Sequence, residues 1–134
     1  VNDAMPAYCV SRVQDLLNDR AKPVRGSRIL VIGVAYKADI ADMRESPALP
    51  FLQGLLAKGA AVSYHDPHVP SIRLDDGTTM ASVDLDESTL TGVDCVVLLT
   101  NHASLDLDRI VGSASLVFDT RNVVRTRRPN VVRL

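Results

Sequence analysis

Lys37, Arg44 and Arg121 are the residues of this 134-residue chain whose types and settings point most directly to chemistry. Lys37 closes the run Gly33-Val34-Ala35-Tyr36-Lys37. Arg44 lies in Asp42-Met43-Arg44-Glu45-Ser46-Pro47, between an apolar strand-like stretch and a helix start. A loop at a helix N-terminus offers backbone N–H groups and a partial positive charge, a setting that suits a diphosphate. Lysine adds a mobile point charge, and arginine a planar fork that grips two oxygens at once. Arg121 follows another strand-like stretch, so Lys37 and Arg121 are expected to converge on one anion from neighbouring strand ends.

The loop lacks the Gly-x-Gly-x-x-Gly spacing of a dinucleotide turn, because Ala35 and Tyr36 stand where close backbone approach to pyrophosphate needs glycine. A complete dinucleotide site within this chain is therefore not expected. Asp66 has two readings: an acid that holds a ribose, or a turn-forming residue before Pro67. His65, Asp66 and His68 sit in one four-residue turn with no fourth ligand spaced to help, so no metal site is expected. His102 is either a polar support behind the site or a plain loop residue. Cys9 and Cys95 read as small core residues rather than nucleophiles. No Ser/His/Asp or Cys/His arrangement can be assembled, so no catalytic residue is assigned.

The elements that must position these groups follow from apolar periodicity. Met5, Tyr8, Cys9, Val13, Leu16 and Leu17 recur at helical spacing, predicting an amphipathic helix over Asn2–Asp19 with Pro6 in its first turn. Ile29–Val34 is a continuous β-branched run, as in a central parallel strand covered on both faces. Ser46 as N-cap and Pro47 at the first helical position begin a helix that buries Phe51, Leu52, Leu55 and Leu56 and ends at Gly59. Ala61–His65 predicts a strand, 67–78 a loop, Asp84–Leu90 a short helix, Val93–Thr100 a strand, Leu105–Val111 a helix and Ser115–Asp119 a strand. This order argues an α/β fold with an open, mostly parallel, Rossmann-like sheet and flanking helices. In such sheets ligands sit beyond the carboxyl ends of the strands.

The length suits one domain with a core of its own. With a formal net charge of −1 and 4% aromatic residues, neither nucleic acid nor an anionic membrane is an expected partner. No apolar run approaches the roughly 20 residues of a bilayer span. No leader pattern precedes the chain either, so a cytoplasmic location is expected. The chain does not begin with Met and reads as a piece of something longer.

Several multi-residue motifs in order resemble the C-terminal part of the UDP-glucose/GDP-mannose dehydrogenase family. They are Asn2-x-x-Met5-Pro6, the Gly33–Lys37 and Asp42–Pro47 runs, Gly59-Ala60, Tyr64-His65-Asp66-Pro67, the Asp94–Thr100 stretch with His102, and Phe118-Asp119-Thr120-Arg121-Asn122. The resemblance implies that residues 1–22 end a long central dimerisation helix and that 23–134 bind the nucleotide-sugar. It implies Lys37, Arg121 and Tyr36 as substrate-binding residues, and Arg44 as facing the phosphates of NAD, which a separate N-terminal domain mainly binds. Such an enzyme oxidises the C6 hydroxyl of its UDP-sugar to a carboxylate in two hydride transfers. The catalytic thiol of the family stands in a Gly-rich setting that neither Cys9 nor Cys95 has, so this chain alone is expected to be inactive. The Asp42–Pro47 wording with Asp66-Pro67-His68-Val69-Pro70 looks most like UDP-N-acetylhexosamine 6-dehydrogenases, with UDP-glucose as the alternative. A non-catalytic nucleotide-binding module and a purely structural dimerisation domain are the competing classes.

Overall fold

Ile29, Leu30, Val31 and Ile32 are all fully buried, and their side chains alternate between two apolar cores, one on each face of a sheet. That double burial explains the unbroken apolar run, since a parallel strand covered on both faces has no solvent-facing side. In the computed structural model, which describes residues 5–35, 46–100, 102–125 and 128–134, five parallel strands form this sheet. They are β1 (Arg28–Ile32), β2 (Ala61–His65), β5 (Cys95–Leu98), β6 (Val117–Asp119) and β7 (Val131–Arg133), in the order β2-β1-β5-β6-β7.

Helices α1 (Met5–Asn18) and α2 (Ala48–Ala57) cover one face and share its core with Ile29, Val31, Cys95, Val97 and Phe118. Helices α3 (Glu87–Thr91) and α4 (Leu107–Ser113) lie on the other, over Leu30, Ile32, Val96 and Leu98. Asp86 and Asp106 cap these two short helices by accepting the N–H of Thr89 and Arg109. Both cysteines are buried in the α1/α2 core as expected, and burial pushes the Cys9 thiol up and the Cys95 thiol up to about 12.

Five details differ from the sequence reading. The buried stripe of α1 is Cys9, Val10, Val13, Leu16 and Leu17, while Tyr8 is 52% exposed. At about 100° per residue, Tyr8 lies nearly opposite that stripe's centre. Leu56 is exposed for the same reason, standing about 90° from the centre of the Phe51–Leu52–Leu55 face. Pro47, not Ser46, is the α2 N-cap; the Ser46 hydroxyl still accepts the Ala48 N–H at 3.1 Å from one residue further out. In the stretch read as a loop and just past it, β3 (Ser71–Arg73) and β4 (Thr79–Ala81) form an antiparallel hairpin around Gly77, burying Ile72 and Leu74 against the α2 side. The hairpin and the three-residue edge strand β7 are too short to show a period.

The expected stop at Gly59 is present. Its φ is +90°, and the N–H groups of Gly59 and Ala60 donate to the carbonyls of Leu56 and Leu55, the paired closure of a helix C-terminus that favours glycine.

Candidate functional site at the carboxyl ends of the strands

The turn leaving β1 is held by contacts that leave no room for a side chain at Gly33. Its φ is +89°, and a Cβ there would meet Thr100 at 2.6 Å from Cβ, 2.7 Å from O and 2.8 Å from N. The strand order reverses between β1 and β5, so this contact closes the crevice where an open α/β sheet ordinarily takes its ligand. Beyond it, Thr100 Oγ1 donates to the Ala35 carbonyl at 3.1 Å, and Ser46 Oγ donates to the Val34 carbonyl at 2.7 Å.

Asp66, just past β2, is only 3% exposed. One carboxylate oxygen accepts the His68 N–H at 2.8 Å, the local turn anticipated before Pro67. The other accepts the N–H groups of Val34 and Ala35 at 2.8 and 3.1 Å and meets His102 Nε2 at 3.0 Å. Burial alone would push this carboxyl up. The N–H groups of Val34, His68 and Ala35, with the His102 ring, outweigh burial and hold it below the usual carboxylate range. Asp66 is therefore ionised at neutral pH, and His102 carries its proton on Nε2 toward it. The ribose reading of Asp66 is overturned: its oxygens face inward. The backbone N–H groups of Val34 and Ala35 are likewise taken by an internal acid, so this turn does not fit a dinucleotide pyrophosphate.

The β6 end repeats the device. Asp119 is fully buried and accepts the N–H of Arg121 at 3.0 Å and of Val124 at 2.8 Å, which shapes a turn with Asn122 at φ +55°. Arg121 is thereby held in place by its backbone while its side chain stays at the exposed rim. It borders an apolar cavity of about 110 Å³ with Met5, Cys9, Phe51, Leu99 and Thr120. That is the share of roughly four liquid waters, well below the ~300–1,000 Å³ of a complete small-molecule site. A larger cleft of about 670 Å³, beside Lys22, Arg25 and Lys58, lies at the amino ends of the strands and is open and polar. Position at the carboxyl ends favours the smaller one.

Of the expected site residues, Arg121 stands at this edge. Tyr36, Lys37 and Arg44 lie outside the described residues. The expectation of neighbouring strand ends is corrected, because β5 separates β1 from β6, placing their ends about 10 Å apart. His102 is the buried support behind the site, not a plain loop residue. His65 Nδ1 bonds the Val83 carbonyl at 2.6 Å and the His68 ring packs edge-on against His102 at 4.9 Å. Among the described residues no three His, Cys, Asp or Glu side chains are placed so that they could hold a metal ion. The sequence does not reveal the clamping roles of Asp66, Asp119, Ser46 and Thr100. For the two acids the signal is an Asp at or just past the end of a strand, which any turn can show.

An open parallel sheet whose polar groups gather beyond its carboxyl ends is the architecture of a nucleotide-binding domain. Residues 30–126 match the UDP-glucose/GDP-mannose dehydrogenase family, UDP binding domain, and the chain belongs to this family. It is 35% identical over 132 residues to a UDP-N-acetyl-D-mannosamine dehydrogenase of Methanococcus maripaludis (strain C7 / ATCC BAA-1331), covering 92% of this chain and 29% of the relative. An NDP-N-acetyl-D-galactosaminuronic acid dehydrogenase of Ralstonia nicotianae (strain ATCC BAA-1114 / GMI1000) is 33% identical, over 96% of this chain and 29% of its own. Among solved structures, a UDP-D-ManNAc dehydrogenase from Pyrococcus horikoshii superposes with a TM-score of 0.78 at 26% identity, over 98% of this chain and 30% of its own. The chain spans under a third of the length of these relatives. Among the described residues no helix is long and apolar enough to cross a membrane.

Proposed function

We propose that this chain is the nucleotide-sugar-binding part of an NAD-dependent UDP-sugar 6-dehydrogenase acting on a UDP-N-acetylhexosamine. The observation that carries this reading is the placement of Arg121, its backbone tied to buried Asp119, at the rim of the cavity beyond β5 and β6. Its guanidinium there grips the diphosphate region, and Lys37 is a second substrate-binding residue of this reading. Tyr36 adds a contact to the nucleotide, and Arg44 faces the cofactor phosphates. NAD, when bound, takes up hydride from C6 in each of two oxidations, carrying the alcohol to a carboxylate. The internally filled β1 turn agrees with a cofactor held mainly by an N-terminal domain of the whole enzyme. Residues 1–22 are read as the end of a central helix, whose exposed Tyr8 supports pairing of two subunits. The cytoplasm is the proposed setting.

The test is amide-shift titration of the chain with UDP, UDP-N-acetylglucosamine, UDP-N-acetylmannosamine, UDP-glucose and NAD+. Saturable shifts with the UDP compounds are expected, weakened by Arg121→Ala about 10- to 100-fold, the range for a charged hydrogen-bonding group. A preference for UDP-glucose would reassign the sugar, and shifts with NAD+ alone would reverse the assignment of the domain. The chain alone is expected to show no NAD+ reduction with any of these sugars above a mock preparation; turnover would defeat the division of labour proposed here.

A further inference from the structure

Helices α1 and α2 pack together and both end beside the amino ends of the strands, at the pole opposite Arg121. The cleft of about 670 Å³ there is as large as many small-molecule sites, which span ~300–1,000 Å³. Among the described residues it is lined by three cations, Lys22, Arg25 and Lys58, against one acid, Asp15, together with the amides of Gln14 and Asn18. In a chain of formal net charge −1 this excess is local. Cations are ordinarily drawn to the carbonyls that end a helix. Here backbone donors already fill those carbonyls. Leu17 and Asn18 accept the N–H groups of Lys22 and Ala21 at 3.0 and 2.9 Å, and Leu55 and Leu56 accept those of Ala60 and Gly59 at 3.2 and 2.9 Å. Lys22 is neutralised by Asp94, whose carboxylate its Nζ meets at 2.7 Å. Among the described residues, Arg25 and Lys58 have no ion pair and no side-chain hydrogen bond. Arg25 is held in place all the same. The Gly26 N–H donates to the Gly59 carbonyl at 2.9 Å, and the Arg25 side chain lies against bare Gly59, where a Cβ would meet its Nη1 at 2.9 Å and its Cζ at 3.1 Å.

We propose that this cleft is a second ligand site, which binds a small phosphate ester of a polyhydroxylated molecule, the class of the sugar phosphates. The Arg25 fork and the Lys58 ammonium, both without a protein counter-charge, take the phosphate oxygens. Gln14 and Asn18 donate to and accept from the hydroxyls, and the Asp15 carboxylate disfavours a second anionic group on the ligand. The cleft lies away from the carboxyl-end site and does not rest on the nucleotide-sugar reading.

The test is amide-shift titration of the chain, at constant ionic strength, with inorganic phosphate, glucose 1-phosphate and glucose. Both phosphates should give saturable shifts confined to residues 14–25 and the surroundings of Lys58, with glucose 1-phosphate the tighter and glucose alone giving none. Arg25→Ala should weaken glucose 1-phosphate about tenfold, the lower end for a charged hydrogen-bonding group because the site is open to water. Arg25→Lys, which keeps the charge and loses the fork, should recover part of that loss. Lys58→Ala should weaken it about threefold and Asp15→Asn strengthen it about twofold, and these two carry the test should Arg25→Ala fail to fold. Arg73→Ala, which removes an exposed cation of the β3–β4 hairpin, should change nothing. Weakening by Arg73→Ala equal to that by Arg25→Ala would mean general charge screening and overturns the proposal. So do shifts centred on Val34, Ala35 and Arg121, shifts that never saturate, unchanged affinity in both Lys58→Ala and Asp15→Asn, or inorganic phosphate binding as tightly as glucose 1-phosphate, which is an adventitious ion only.

Discussion

Gly33→Ala is expected to destabilise the chain by about 2–5 kcal/mol, adding roughly 1–2 for a left-handed non-glycine residue to roughly 1–3 for overpacking. Both contributions have a local cause. The φ of +89° disfavours any Cβ, and the methyl would land 2.7–2.8 Å from the backbone O and N of Thr100, atoms that cannot swing aside. Relief requires the exits of β1 and β5 to part, which strains the Thr100–Ala35 bond and the register Ile32↔Leu98. Against a typical stability of about 5–15 kcal/mol this is a large fraction. Urea unfolding of the two proteins reads it directly, and a loss below about 1 kcal/mol would show that the two turns are not in rigid contact.

Asp66→Ala is expected to cost about 3–5 kcal/mol, the scale for removing one partner of a buried charged cluster. It leaves the N–H groups of Val34, Ala35 and His68 and the His102 ring without their acceptor in a region water barely reaches. The same residue sets part of the acid response. Its folded carboxyl titrates below its unfolded value of about 3.9, so its stabilising contribution is fully present above that value and is lost as pH falls through the folded value. Unfolding free energies followed from pH 6 downward should therefore fall less steeply in Asp66→Ala than in the unaltered chain. Asp94, also held low by Lys22 and the Arg28 N–H, keeps a residual slope in both. Identical acid slopes would mean that Asp66 is not ionised in the folded chain.

Much of the fold was legible because its signals are local. Ile29–Val34 and the Cys95–Leu98 core of Val93–Thr100 show the unbroken apolar character of strands covered on both faces, and Gly59 the conformation that ends a helix. The β3–β4 hairpin and β7 escaped because three residues carry no period, and their pairing energy comes from partners remote in the chain. Tyr8 and Leu56 fit a helical spacing but not the face that the sheet selects. The sequence offers a set of cations and motifs, Lys37, Arg44 and Arg121, of which Arg121 alone falls among the described residues, and it offers no arrangement for them. That β5 stands between the strands leading to Lys37 and Arg121 is a property of sheet order, to which no single segment points.

The sequence by itself determined the parallel α/β class, the main helices and strands and the family motifs, because periodicity, turn chemistry and short runs of residues act within a few positions of one another. Only the tertiary structure decided what Asp66 and Asp119 do. A carboxylate just past a strand can bind a ribose, form a turn or clamp another loop, and the choice depends on which N–H groups lie within about 3 Å once the strands pack side by side. Here both acids face inward onto backbone amides, an outcome that depends on the packed strands and not on either local sequence.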